Sequence, residues 1–155
     1  MRTQYAGART PPAHQTGQDS GVAKEFRYAI AQDRAGRLTA GGRAVLELVE
    51  EWKPEHLVLA GLVRCSLQSL RYHAAFGRVD FVATASASGR VTTREEDGRY
   101  AFVELDVQID LELEPVPPGA ELAALLAKAG RDCFVGASLA SPPNYRWRVN
   151  GSDVA

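Results

Sequence analysis

The stretch that decides the fold is Lys53-Pro54-Glu55-His56-Leu57-Val58-Leu59-Ala60-Gly61-Leu62-Val63-Arg64-Cys65, followed by a further apolar run to Phe76-Gly77. Proline is favoured in the first turn of a helix, where its missing N–H costs nothing. A carboxylate there complements the helix dipole. The pattern from His56 to about Phe76 contains no proline, and Gly77 stands where a helix would stop. Leu57, Val58, Leu59, Leu62, Val63, Leu67 and Leu70 cover much of its circumference. A helix apolar nearly all round is expected to be buried. This spacing predicts the central helix of the fold, carrying Cys65.

Strands are expected on both sides of it. Phe26, Tyr28 and Ile30 alternate with Arg27 and Ala29, Asp33-Arg34-Ala35-Gly36 reads as a turn, and a second strand runs from Arg37 to about Ala40 before Gly41-Gly42. Arg43 to Trp52 fits either period. Val79 to Thr93 and Tyr100 to Glu114 form a long hairpin about Glu95-Glu96-Asp97-Gly98. In the second of these, Ala101, Val103, Leu105, Val107, Ile109, Leu111 and Leu113 share one face and charged or amide residues the other, as in a sheet with one wet face. Ala120 to about Arg131 reads as an amphipathic helix with Leu122, Leu125 and Leu126 inward. Cys133 follows at its C-terminal end, and Tyr145, Trp147 and Val149 make a closing strand. The expected class is α+β, with antiparallel sheet packed on helices.

Composition narrows the function. The chain has 155 residues, 18 Lys+Arg against 19 Asp+Glu, and a net charge of −1. That suits one domain and supplies no electrostatic footprint for nucleic acid. No run approaches the roughly 20 apolar residues that span a bilayer. Met1 to Ser20 is polar and lacks the apolar core of a secretory signal, so residues 1–22 are expected to be a flexible tail and the cytoplasm the expected location. There, thiols stay reduced unless redox chemistry is their role. The chain has two cysteines. A cysteine reacts as its thiolate, which needs a cation or a helix N-terminus nearby. Cys65 within a helix gains little from a dipole end and would need an arginine. Cys133 at a helix C-terminus would be disfavoured as a thiolate. Inert core packing is the ordinary alternative for scattered cysteines. His56, His73, Cys65 and Cys133 match no zinc spacing, so no metal and no bound cofactor are expected. Ser66, His73 and Asp80 lack the nucleophile elbow of a hydrolase, and Arg64, Arg71 and Arg78 read as a solvated stripe.

The stretch Trp52 to Cys65 resembles the central-helix signature of the OsmC/Ohr family of thiol-dependent peroxidases. In that family a Pro-Glu-x-Leu opening is followed by the reactive cysteine ten positions after the glutamate, and here 65 − 55 = 10. Asp132-Cys133-Phe134-Val135-Gly136-Ala137-Ser138-Leu139 is similar to the family's second-cysteine segment, and Tyr145 to Val149 to its terminal strand. The resemblance implies an OsmC-like domain over residues 23–152 in an intertwined homodimer. It also implies a peroxidase that reduces organic hydroperoxides, and hydrogen peroxide as a second substrate. Cys65 would attack the peroxide, Cys133 would resolve the sulfenic acid as a disulfide, and an external dithiol would reduce it. By the same resemblance Arg34, with Arg37 as alternate, would support the Cys65 thiolate, and Glu55 would hold that arginine. Ser66 and Phe134 stand where the organic-hydroperoxide branch usually has Phe and Pro, so the chain looks nearer the broader OsmC-like branch. The rival expectation is a non-catalytic ligand-binding or stress-associated dimer on the same fold.

One geometric consequence follows from the spacing alone. Ten residues at about 1.5 Å rise and about 3.6 residues per turn place Glu55 and Cys65 roughly 15 Å apart and about 80° around one helix. Either that helix breaks, near Gly61, or Glu55 serves the Cys65 of another chain.

Overall fold

The structure is a computed structural model and describes residues 25–40 and 44–154. The expected tail, residues 1–22, lies outside the described residues. The chain forms two compact units, one through Lys53 and the other from Pro54.

The first unit is a small antiparallel sheet of three short strands, β1 (Ile30–Gln32), β2 (Leu38–Ala40) and β3 (Ala44–Leu46), in that order. The turn between β1 and β2 is built by Asp33. Its Oδ1 accepts the N–H groups of Ala35 (2.9 Å) and Arg37 (3.0 Å), and its Oδ2 takes Arg37 Nε at 2.8 Å. Gly36 adopts φ 82°, the left-handed region open to glycine. The first strand is shifted from the expected Phe26–Ile30 to Ile30–Gln32, because this turn fixes the register at Gln32↔Leu38. Of the described part of the ambiguous stretch, residues 44–52, only Ala44–Leu46 is strand.

The second unit holds α1 (Pro54–Gly77), β4 (Asp80–Thr93), β5 (Tyr100–Glu114), α2 (Gly119–Arg131), α3 (Phe134–Ser138), β6 (Asn144–Val149) and β7 (Ser152–Val154). Helix α1 runs unbroken through Gly61. At its end the N–H of Val79 reaches the carbonyl of Ala74 (3.0 Å) and that of Arg78 the carbonyl of Ala75 (3.3 Å). This is the paired Schellman closure, with buried Val79 and Ala74 as its apolar contact. The left-handed residue is Arg78 (φ 53°), one position beyond the expected Gly77.

The four strands form one sheet in the order β4-β5-β6-β7. Leu105, Val107, Ile109, Leu111 and Leu113 of β5 are buried, as their alternation predicts. Opposite them in register on β4 stand Phe81 beside Leu113 and the small residues Ala83, Ala85 and Ala87 beside Leu111, Ile109 and Val107. That row of small side chains leaves room for a helix, and α1 packs against β4 there. Leu122, Leu126 and Ala129 of α2 complete the core.

Two expectations are corrected here. The sheet is mixed, because β6 pairs with β5 in parallel (Val107↔Tyr145, Ile109↔Trp147). The chain leaves β5 through α2 and α3, and a crossover of that kind returns the next strand in the same sense. Helix α1 is not buried all round. Its buried residues are Leu62, Ser66, Leu70 and Ala74, a stripe of spacing four, while Tyr72 and Phe76 are 61% and 65% exposed. The reason is that the unit covers α1 on one side with β4, α2 and α3. Among the described residues, no helix is long and apolar enough to cross a membrane.

Leu70 is fully buried at the centre of the stripe. Leu70→Ala should cost about 2–5 kcal/mol by loss of buried surface and by the cavity left behind. A denaturant midpoint unchanged at equal protein concentration would contradict this packing.

Candidate active site

The two cysteines are brought together by α1, α3 and the junction between α2 and α3. Cys65 lies one position before Ser66 of the buried stripe and is partly exposed. Cys133 is fully buried. Both are free thiols. The N–H of Val135 donates to Cys65 Sγ at 3.4 Å, and the next N–H in the chain, that of Gly136, donates to Cys133 Sγ at 3.3 Å. Two consecutive amides of α3 thus each hold a different sulfur.

Cys133 does follow the C-terminal end of α2, as expected, but the expected penalty on its thiolate is overturned by a second helix that begins there. Helix α2 closes on Asp132, whose N–H bonds the carbonyl of Lys128 (2.9 Å), and Cys133 is the N-cap of the short helix α3. Orphan amides at a helix start favour an anionic acceptor. Asp132 itself is paired with Arg131 (2.6 Å) and lies 2.9 Å from His73 Nε2. The Arg131 guanidinium holds its carboxyl below the usual range.

A buried hydroxyl completes the surroundings of Cys133. Ser66 Oγ is 3.5 Å from Cys133 Sγ, 3.0 Å from Tyr145 Oη and 2.8 Å from the Leu62 carbonyl. Tyr145 reaches in from β6 across two glycines. A Cβ on Gly130 would meet its ring at 3.2 Å, and one on Gly136 would meet Tyr145 Oη at 3.3 Å and Cys133 Sγ at 3.4 Å. The Tyr145 ring stacks on Trp147 at 5.6 Å between centroids. Tyr145, Gly136, Leu126, Pro143 and Trp147 also line a largely apolar cleft of about 380 Å³.

The electrostatics of the two thiols differ. Burial pushes the Cys65 thiol up; the Val135 N–H opposes this, and the neighbouring Cys133 adds to the rise. Burial also opposes ionisation of Cys133, but hydrogen bonds from Ser66, the Gly136 N–H, Cys65 and Tyr145 outweigh it and lower its pKa. Burial likewise pushes the Tyr145 phenol up, so it stays a donor at neutral pH.

Of the residues expected from sequence, Cys65 and Cys133 share this site. Glu55 is exposed in the first turn of the same unbroken helix as Cys65, about 15 Å along it at ten residues' rise. Arg34 is exposed at the tip of the β1–β2 turn in the first unit, and Arg37 is engaged there by Asp33. Ser66, Tyr145 and Gly136 were not singled out from sequence as site residues. The available signal was a serine four residues after Leu62 and four before Leu70, a polar position on the apolar stripe. Among the described residues, no group of three or more His, Cys, Asp or Glu is placed to hold a metal ion.

Comparison with known proteins agrees with this fold. A family model described as OsmC-like protein matches residues 49–148. An OsmC-like protein of unknown function from Vibrio cholerae superposes with a TM-score of 0.65 at 14% identity, over 81% of this chain and 99% of that one. An organic hydroperoxide resistance protein from Elizabethkingia anophelis gives a TM-score of 0.57 at 17% identity, over 83% of this chain and 98% of that one. One from Legionella pneumophila gives 0.52 at 19% identity, over 83% and 98%. No curated protein matches the sequence.

The unequal exposure has a direct consequence. Brief alkylation of the native, reduced protein should label Cys65 before Cys133, as read by peptide mass mapping. Labelling of Cys133 first would contradict its burial.

Proposed function

The chain belongs to the OsmC-like family, and from that premise we propose that it is a thiol-dependent peroxidase acting on organic hydroperoxides. The observation that carries this reading is the pair of free thiols held by consecutive amides of α3, with the more exposed one on α1. Cys65 attacks the distal peroxide oxygen as its thiolate. The O–O bond breaks, Cys65 becomes a sulfenic acid, and the alkoxide takes a proton and leaves as an alcohol. Cys133 then displaces the hydroxyl group as a disulfide, and an external dithiol supplies the two electrons that restore both thiols.

Cys65 requires a cation, since burial raises its pKa and the amide of Val135 does not fully compensate. We assign that role to Arg34, because Arg37 is already bound to Asp33. The guanidinium favours the thiolate and donates to the peroxide oxygen as charge develops on it. Glu55 orients the guanidinium by a bidentate pair. Because α1 does not break at Gly61, Glu55 cannot reach the Cys65 of its own helix, so it serves the partner's site in a homodimer. The exposed Tyr72 and Phe76 of α1 support burial against a second copy. The raised Cys65 pKa also favours the second reading, a non-catalytic binding dimer, and turnover separates the two.

With cumene hydroperoxide and dithiothreitol the protein should turn over, and Cys65→Ser should abolish turnover. Absence of turnover in the native protein would favour the binding dimer. Arg34→Ala should slow peroxide consumption about 10–100-fold, the loss of one charge-assisted hydrogen bond, and shift the pH profile to the alkaline side. An unmoved profile would assign the cation elsewhere.

The shared site has its own test. Glu55→Ala protein, slowed no more than Arg34→Ala, and inactive Cys65→Ser protein should show more activity when unfolded and refolded together than the two refolded apart, because mixed dimers carry one intact site. No gain would place Glu55 outside the partner's site.

A further inference from the structure

Among the described residues of the second unit, Ser66 is the one polar or charged residue that is buried, and it is fully enclosed. A buried serine on a helix is ordinarily satisfied by the carbonyl four residues back, and Leu62 O at 2.8 Å would suffice. Here two more partners converge on the same oxygen, Cys133 Sγ at 3.5 Å and Tyr145 Oη at 3.0 Å. A hydroxyl has one proton to give. The Leu62 carbonyl can only accept. If Cys133 is a thiol, Ser66 can donate to Leu62 and accept from Tyr145. If Cys133 is a thiolate, Ser66 can turn its proton to Sγ, still accepting from Tyr145. The Leu62 carbonyl then gives up the serine proton but keeps its backbone partner within α1, so a rotation of one hydroxyl accommodates the ionisation of a fully buried sulfur.

We infer that Ser66 and Tyr145 are positioning residues that form a hydroxyl chain, Tyr145 Oη–H to Ser66 Oγ–H to Cys133 Sγ, which holds the resolving sulfur as a buried thiolate before the peroxide arrives. The glycines at 130 and 136 are part of the device, since a Cβ at either would crowd the phenol. The Gly136 N–H also donates to Cys133 Sγ at 3.3 Å, and Cys65 and Tyr145 lie within hydrogen-bonding reach of it as well. The ionisable groups that face it are Cys65 from α1 and Tyr145 from β6. The carboxylate of adjacent Asp132 is taken up by Arg131, with His73 of α1 2.9 Å away. The lowered Cys133 pKa, to which the Ser66 hydrogen bond contributes against the cost of burial, agrees with donors that end on sulfur. Burial raises the Tyr145 phenol, so it keeps the proton it would donate.

Resting on the peroxidase reading, the device has a defined use. The Cys133 thiolate supplies the electron pair that forms the S–S bond with the Cys65 sulfenic sulfur. The S–O bond breaks, and the oxygen leaves as hydroxide, which takes a proton from solvent to become water. A sulfur already ionised closes that bond before further peroxide can carry Cys65 to the sulfinic state.

The test uses the full chain in a Cys65→Ser background, where Cys133 is the remaining thiol, and follows the cysteine Cβ resonance against pH by NMR. Ser66→Ala and Tyr145→Phe should each raise the Cys133 pKa by about one unit. Tyr145→Phe keeps the ring and removes one oxygen, so it also guards against a folding defect in the serine variant. A Cys133 pKa unmoved in either variant overturns the inference, whether or not the protein reduces peroxides, because this titration needs no peroxide. With Cys65 present, both variants should slow disulfide closure about tenfold at neutral pH. Closure at the native rate would likewise overturn it. Failure of peroxide to oxidise Cys65 at all would instead count against the peroxidase reading.

Discussion

Two neighbouring amides, those of Val135 and Gly136, each bond a different sulfur, and the arrangement of the second unit follows from that constraint. For both bonds to form, α1 must present Cys65 beside α3, and the α2–α3 junction must place Cys133 at the start of the same short helix. Helix α1 is fixed by its stripe of Leu62, Ser66, Leu70 and Ala74 against the sheet. The row Ala83, Ala85 and Ala87 on β4 makes space for it beside the large residues of β5. Core packing and the geometry of the thiols are therefore one problem. Leu62, which buries the stripe, also lends its carbonyl to Ser66.

The same amides make the two cysteines unequal. A short helix start offers few donors, and Cys133, as its cap, collects Gly136 directly and Ser66 and Tyr145 besides. Cys65 has one amide and partial burial. Exposure runs the other way, with Cys65 accessible and Cys133 enclosed. The more exposed sulfur is the one with fewer donors, and the sulfur with more donors is enclosed. This suits the proposed cycle, in which the accessible sulfur acts first and the enclosed one second.

Much of this was legible from local patterns. Pro54-Glu55 marked the start of α1, the strict alternation from Ala101 to Leu113 marked β5, and Asp97-Gly98 marked the hairpin, because each is a property of adjacent residues. The parallel sense of β6 was not legible, since Tyr145, Trp147 and Val149 alternate alike in either direction. Helix α3 is five residues long and has no periodicity to read. The sequence placed Cys133 correctly after the end of α2, but without α3 its electrostatics were inverted. Ser66 and Tyr145 meet across 79 positions, a contact only the fold creates. The apolar breadth of α1 was read as burial, whereas the chain by itself covers one stripe.

The central claim is that Cys65 and Cys133 are partners in a redox cycle. The most direct test is intact mass and free-thiol count of the reduced protein after one equivalent of cumene hydroperoxide per site. The account predicts rapid loss of both thiols with a mass lower by two hydrogens and a disulfide joining Cys65 to Cys133. Two thiols that survive excess hydroperoxide at native mass would contradict it.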